Sequence, residues 1–346
     1  MEAVQLTRFS HGGGCGCKIA PAVLSNLMSR IPAGLVPPEL LVGTETADDA
    51  AVYRLNDDQA LVATTDFFTP IVDDPYDFGR IAATNALSDV FAMGGRPILA
   101  LALVGMPLDK LPAEVIGRIL EGGARVCRDA GIPIAGGHSI DVLEPIYGLV
   151  GLGLVHPAQV KRNASARAGD CLILTKPLGI GILSAALKKG VLSPEAYAEM
   201  LQWTTTLNAA GTALAALDGV HAMTDVTGFG LAGHLLEICR GSGLTARVAV
   251  ETLPVIAEAA RHLRAGVATG ASGRNWASYG EAITLAADLP PETQKLLTDP
   301  QTSGGLLIAC APEVVAIVQD AIIAAQGSRG AVIGRLESGP GRIHFS

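Results

Sequence analysis

Along the 346 residues, apolar positions come in short runs broken by glycine, proline and acidic residues, alternating with Ala-rich stretches of helical spacing. In the first half this pattern predicts a helix over 21–28, strands over 51–53 and 60–65, and a helix over 78–93 closed by Gly94 and Gly95. It continues with a strand over 98–104, a helix over 112–130, a strand over 132–135 running into Gly-Gly-His-Ser, and a strand over 146–155. Residues 156–170 are polar and weakly periodic, as expected of a domain boundary. Beyond them the pattern predicts a strand over 171–175, a Lys-Pro-Leu-Gly-Ile-Gly turn, a helix over 182–189, and helices over 194–217 and 229–240. A strand over 245–250 and a helix over 255–265 come next. The stretch 266–279, rich in Gly, Ala and Ser, reads as a loop of functional length. A strand over 306–311, a helix over 314–325 and a strand over 331–336 complete the second half. The alternation does not decide between parallel and antiparallel pairing.

This length exceeds what one core usually organises, so two domains are expected over 21–157 and 170–346, preceded by a flexible Gly-rich segment over 1–20. With 49% apolar and 17% charged residues the chain folds rather than staying disordered. Its 41 glycines lack the period of three that collagen needs, and apolar runs such as 98–104 end far short of a membrane span. Twenty-five basic against thirty-three acidic residues, a net charge of −8, argue against nucleic acid or anionic membrane as partners, so an anionic ligand must be gripped locally. The amino-terminal sequence resembles neither a signal nor a transit peptide, and a cytoplasmic location is the expectation.

Candidate chemistry begins with acids at the ends of apolar segments: Asp48 and Asp49, Asp66, Asp89 and Asp225. Read blandly, each is a cap or turn residue; read together, they could converge on Mg²⁺ and a polyphosphate. The turns Gly136-Gly137-His138-Ser139 and Gln301-Thr302-Ser303-Gly304-Gly305 could offer backbone amides to phosphate, or could simply be tight turns. Lys176 and the glycines after it resemble an anion turn as well, though a lysine at a strand end is more often simply solvated. Cys127, Cys171, Cys239 and Cys310 sit alone in apolar surroundings and read as packing residues, whereas Cys15 and Cys17 lie between glycines beside Lys18. A thiol beside an ammonium favours the thiolate, which suggests a nucleophile on a mobile lid. Zinc held by Cys15, Cys17, His11 and His138, a redox dithiol, and a disordered start with incidental cysteines are the other readings.

The segments SHGGGCGCKI, DDAAVY, TTDFFTPIVDDPYDFGRIAATNALSDVFAMGG, IAGGHSID, TKPLGIG, MTDVTGFGLAGHL, GRNWASYG and DPQTSGGLL resemble the selenophosphate synthetase (selenide, water dikinase) family over nearly the whole chain. The resemblance implies the two-domain fold shared with aminoimidazole ribonucleotide synthetase and thiamine-monophosphate kinase, an α/β domain with mixed sheets followed by an α+β domain. It implies that ATP, selenide and water give selenophosphate, orthophosphate and AMP with Mg²⁺. Carried over by motif, Cys15 and Lys18 are catalytic, Asp49, Asp89 and Asp225 hold metal, and Thr46, Ala47, Asp48, Asp66, Gly137, His138 and Ser139, with Lys18 and Asp89, bind ATP. A homodimer formed through the first domain and a transient selenium-delivery protein are the implied partners. The alternatives are a sibling ATP-dependent enzyme, against which the cysteine pair argues, and a non-catalytic selenium or metal carrier, for which the ordered acids would be superfluous.

Overall fold

A computed structural model describes residues 4–30, 34–44 and 48–346. Its first half runs α1 (Pro21–Met28), β1 (Leu40–Val42), β2 (Ala51–Arg54), β3 (Ala60–Phe68), α2 (Pro75–Ala92), β4 (Arg96–Met106), α3 (Ala113–Asp129), β5 (Ile134–Asp141) and β6 (Ile146–Val155). The second half opens with β7 (Cys171–Leu174), α4 (Ile180–Lys188), α5 (Pro194–Thr204), α6 (Ala210–Ala215), β8 (Val220–Asp225), α7 (Gly230–Ser242) and β9 (Leu244–Val248). It closes with α8 (Ala257–Arg264), α9 (Gly270–Tyr279), β10 (Ile283–Leu285), α10 (Thr293–Leu297), β11 (Leu306–Cys310), α11 (Val315–Gln326), β12 (Ala331–Ser338) and β13 (Ile343–Phe345).

Each half is built on one mixed sheet. The first has the order β1-β2-β3-β6-β4-β5 and is antiparallel except for β4 with β5. The second has the order β10-β13-β9-β12-β7-β11-β8, with parallel pairing only where β13 meets β10 and β9. The largest apolar cluster among the described residues crosses between the halves, taking Phe78, Ile81 and Tyr147 from the first and Leu174, Ile182 and Leu235 from the second, and a smaller one joins Ala92 to Ile173, Leu214 and Val318. Among the described residues no helix is long and apolar enough to cross a membrane.

Local chemistry explains where the elements depart from expectation. Helix α2 starts earlier than the periodicity suggests because Asp74 caps it, accepting from the Asp77 amide at 2.8 Å, and Pro75 suits its first turn. The helix expected over 194–217 breaks in two at three consecutive threonines. Thr204, Thr205 and Thr206 each turn a hydroxyl back to the carbonyl four residues earlier, which competes with helix propagation. The expected loop over 266–279 is largely helix α9, capped by Thr269, with Ala271, Ser272 and Asn275 buried. Its small residues serve close packing rather than freedom. The expected turn at Gly136–Ser139 is strand β5, on the sheet's edge. A Cβ at Gly137 would stand 2.1 Å from the Ala102 carbonyl oxygen, so close approach to β4, with φ of +153°, already explains that glycine.

Candidate active site

Strand β3, helix α2 and strand β8 meet where the two halves face each other. Helical spacing sets Ile81, Asn85 and Asp89 along one face of α2. Asp66 lies on β3, Asp225 ends β8, and Asp49 precedes β2. One carboxylate oxygen from each of Asp49, Asp89 and Asp225 lies within 4.8 Å of the others. Thr224 donates to Asp49 Oδ1 at 2.7 Å and Thr64 to Asp89 Oδ2 at 2.5 Å, whereas Asp49 Oδ2 and Asp225 Oδ2 are buried without a hydrogen-bond partner. Burial first, then mutual repulsion, raises the pKa of Asp49 and Asp89 well above the carboxylate range; burial raises that of Asp225 too, against the pull of Ser88, His234 and Lys18. Orphaned buried oxygens on converging carboxylates are the donor set a hard divalent cation satisfies. The three acids therefore fit Mg²⁺.

Residues 6–9 and 14–17 form short 3₁₀ turns that seat the Gly-rich segment over this cluster. Thr7 donates backbone and hydroxyl to Asp73, and the Gly14 amide donates to the Thr69 carbonyl at 2.9 Å. Cys15 is 1% exposed. Its amide donates to Thr302 Oγ1 at 3.0 Å and its thiol to Asn85 Oδ1 at 3.2 Å. Asn85 in turn donates to Asp66 Oδ2 at 2.5 Å and accepts from the Ser303 amide at 2.7 Å. Lys18, 35% exposed, reaches the same Asp66 oxygen at 3.4 Å. Burial opposes its charge, but Asp66, Cys15, Asp89 and Asp225 more than offset that and raise its pKa. Gly228 lets the segment pass, since a Cβ there would stand 2.8 Å from both the Cys15 carbonyl oxygen and Lys18 Cδ.

The structure corrects several sequence readings. Burial drives the Cys15 pKa well above its usual value and Lys18 only partly offsets it, which favours the thiol over the expected thiolate. Thr46 and Ala47 lie outside the described residues. Asp48 accepts from the Asn163 amide at 2.6 Å. Gly137, His138 and Ser139 stand on edge strand β5, three strand spacings or about 14 Å from β3, so one chain does not bring them to Asp66. The zinc set does not assemble: His11 pairs with Glu144 at 2.9 Å, and the acid triad is the one metal-competent group of this kind among the described residues. Ser303 and Gly304 commit their backbone to Asn85 and Asn208 rather than to a free anion turn. Lys176 is buried instead of solvated, its Nζ donating to the Thr206 and Ser303 carbonyls at 2.6 and 2.9 Å, and burial lowers its pKa to about 7. Sequence reasoning missed Asn85, Thr64 and Thr302 as partners of the site. The spacing of Asn85 from Asp89, one helical turn, was the available signal.

Two family models match, AIR synthase related protein N-terminal domain over residues 47–155 and its C-terminal domain over 167–345. A selenide, water dikinase from Burkholderia orbicola (strain MC0-3) is 66% identical over 98% of this chain and 96% of its own length. The chain belongs to the selenide, water dikinase family. Another member, from Rhizobium meliloti (strain 1021), is 55% identical over 99% of this chain and 98% of its own. Solved structures extend the fold beyond the family. A thiamine-monophosphate kinase from Stenotrophomonas maltophilia K279a superposes with a TM-score of 0.66 at 20% identity, covering 94% of this chain and 96% of that one. Hydrogenase maturation protein HypE in complex with ATP does so with a TM-score of 0.65 at 20% identity, covering 99% and 94%. At those identities the likeness is one of architecture: the two mixed α/β halves are the AIR synthase-like fold.

Proposed function

We propose that this chain transfers the γ-phosphoryl group of ATP to selenide and hydrolyses the remaining ADP, giving selenophosphate, AMP and orthophosphate. One observation carries the reading: a buried acid triad with orphaned oxygens lies under a segment that presents Cys15 and Lys18 side by side. Asp49, Asp89 and Asp225 would hold Mg²⁺, which when bound neutralises phosphate charge. Lys18 supplies a further positive charge toward the transferring phosphoryl group. Selenium's lone pair forms the P–Se bond as the bond from the γ-phosphorus to the β,γ-bridging oxygen breaks, leaving ADP; water then attacks its β-phosphorus, releasing orthophosphate and AMP. Burial of the reacting centre by the 14–18 segment keeps bulk water from taking the γ-phosphoryl group first. Cys15, protonated when alone, handles selenium through its soft sulfur, with Asn85 fixing its direction.

In this reading Gly137, His138 and Ser139 touch ATP only across a homodimer formed by the first half, because β5 exposes them at a sheet edge. Residues 1–20 act as a lid, 21–157 as the nucleotide and dimer domain, and 170–346 as its partner domain. A cytoplasmic location and a transient selenium-delivery protein belong to the same reading. Phosphorus NMR of ATP and MgCl₂ with the protein tests it. AMP and a phosphorus–selenium resonance are expected only when selenide is added. ADP as the sole product would make the chain another kinase of this fold, and no turnover would make it a carrier.

A further inference from the structure

Against the Gly-rich segment, lined by its Gly12, Gly13 and Gly16, lies a cavity of about 330 Å³. Lys188 and Lys189 at the end of α4, Arg274 on α9 and His11 surround it; among the described residues no acid lines it, the nearby Glu144 being paired with His11 at 2.9 Å. In a chain with an acidic excess, such a cavity selects anions. The first turn of α9, at Gly270 and Ala271, adds the positive end of a helix dipole. Two of the cations also grip the lid: Lys188 donates to the Ser10 carbonyl at 3.2 Å and Arg274 to the Gly16 carbonyl at 3.1 Å. The Lys189 ammonium makes no hydrogen bond or ion pair among the described residues.

Cys15 connects this cavity to the reacting centre: Gly16 and Thr302 line the cavity, Thr302 Oγ1 accepts the Cys15 amide, and the Cys15 thiol donates to Asn85. Cys15 thus stands between an anionic compartment built for metal and nucleotide and a cationic one open to solvent. The cationic compartment is ample for a monoatomic anion.

Resting on the reading proposed above, we infer that this cavity is the vestibule for the second substrate: hydroselenide, a monoanion at neutral pH, gathers among Lys188, Lys189 and Arg274 and reaches Cys15 past Gly16. The two anionic substrates then approach from opposite faces of the segment, and neither must cross the other's charge.

Steady-state kinetics of Lys189→Gln, Lys189→Glu and Lys188→Gln/Lys189→Gln test the inference, with sodium hydroselenide as the probe. The KM for selenide is expected to rise about three- to tenfold in Lys189→Gln and further in Lys189→Glu, with the KM for ATP held within about twofold. Lys189→Arg should restore the selenide KM. Raising salt should raise that KM in the unsubstituted protein and less in Lys189→Gln, because screening removes what the substitution has already removed. An unchanged selenide KM, or a rise confined to the KM for ATP, overturns the inference. So does a loss of product inhibition by orthophosphate with the selenide KM unmoved, which would make the cavity a phosphate exit. If the unsubstituted protein forms no selenophosphate, the functional reading itself fails, and that outcome is distinct from all of these.

Discussion

Cys15→Ser is expected to lower selenide-dependent AMP formation by roughly a thousandfold or more while leaving ATP affinity within about twofold. The Cys15 amide holds Thr302 whatever the side chain, and a serine hydroxyl can still donate to Asn85, so the segment keeps its seat. What disappears is the soft sulfur. The acids that would grip metal and phosphate lie on β3, α2, β8 and the turn before β2, and do not depend on it. Calorimetric ATP binding beside an AMP assay separates the two effects; an equal loss of ATP affinity would show instead that Cys15 builds the nucleotide site. The protonation state has its own signature. Because burial raises the thiol's pKa, alkylation of Cys15 at neutral pH should be slower than that of an exposed thiol and should accelerate as pH rises.

Asp89→Asn should cost about a thousandfold in AMP formation yet stabilise the protein in cation-free buffer, and Asp225→Asn should do the same. The folded-state pKa values of both acids stand above those of the unfolded chain, since burial penalises the carboxylate. Their favourable contribution is therefore fully present below the unfolded pKa and is lost as pH rises through the raised folded value. At neutral pH without metal, close carboxylates repel, and removing one charge relieves the strain. The melting temperature of Asp89→Asn should exceed that of the unsubstituted protein by roughly a degree or more in EDTA. Adding MgCl₂ should stabilise the unsubstituted protein and much less the variant. A variant less stable in EDTA, or an equal response to MgCl₂, would remove Asp89 from the metal set.

Much of this was legible in the sequence because the chemistry sits at the ends of regular elements. Asp66 follows the segment ALVATT and Asp225 the segment HAMT, so both could be read as acids at the ends of apolar segments. Their convergence could not, because it depends on two sheets packing through a shared core. Long periodic stretches such as α3 and β6 were legible almost to the residue. Failures came where a side chain overrides composition: Thr269 turning a Gly-rich stretch into a helix, or three threonines ending one. The Cys15 pKa failed for a related reason. Sequence places a lysine beside it but says nothing of Ile71, Phe68 and Leu6, which share its apolar cluster.

The apolar cluster that crosses between the halves decides where motion can occur. Domains joined by a small polar interface swing about a hinge, but here parting the halves would wet Phe78, Ile81, Leu174 and Ile182 together. On the reading proposed above, access to the site then falls to the chain ahead of α1, whose attachments among the described residues are a few hydrogen bonds, the Lys18–Asp66 and His11–Glu144 pairs, Leu6 and Cys15. The enzyme's gate is then a peptide strap rather than a jaw: its opening rate should follow substitutions among those attachments and ignore the stability of the body beneath.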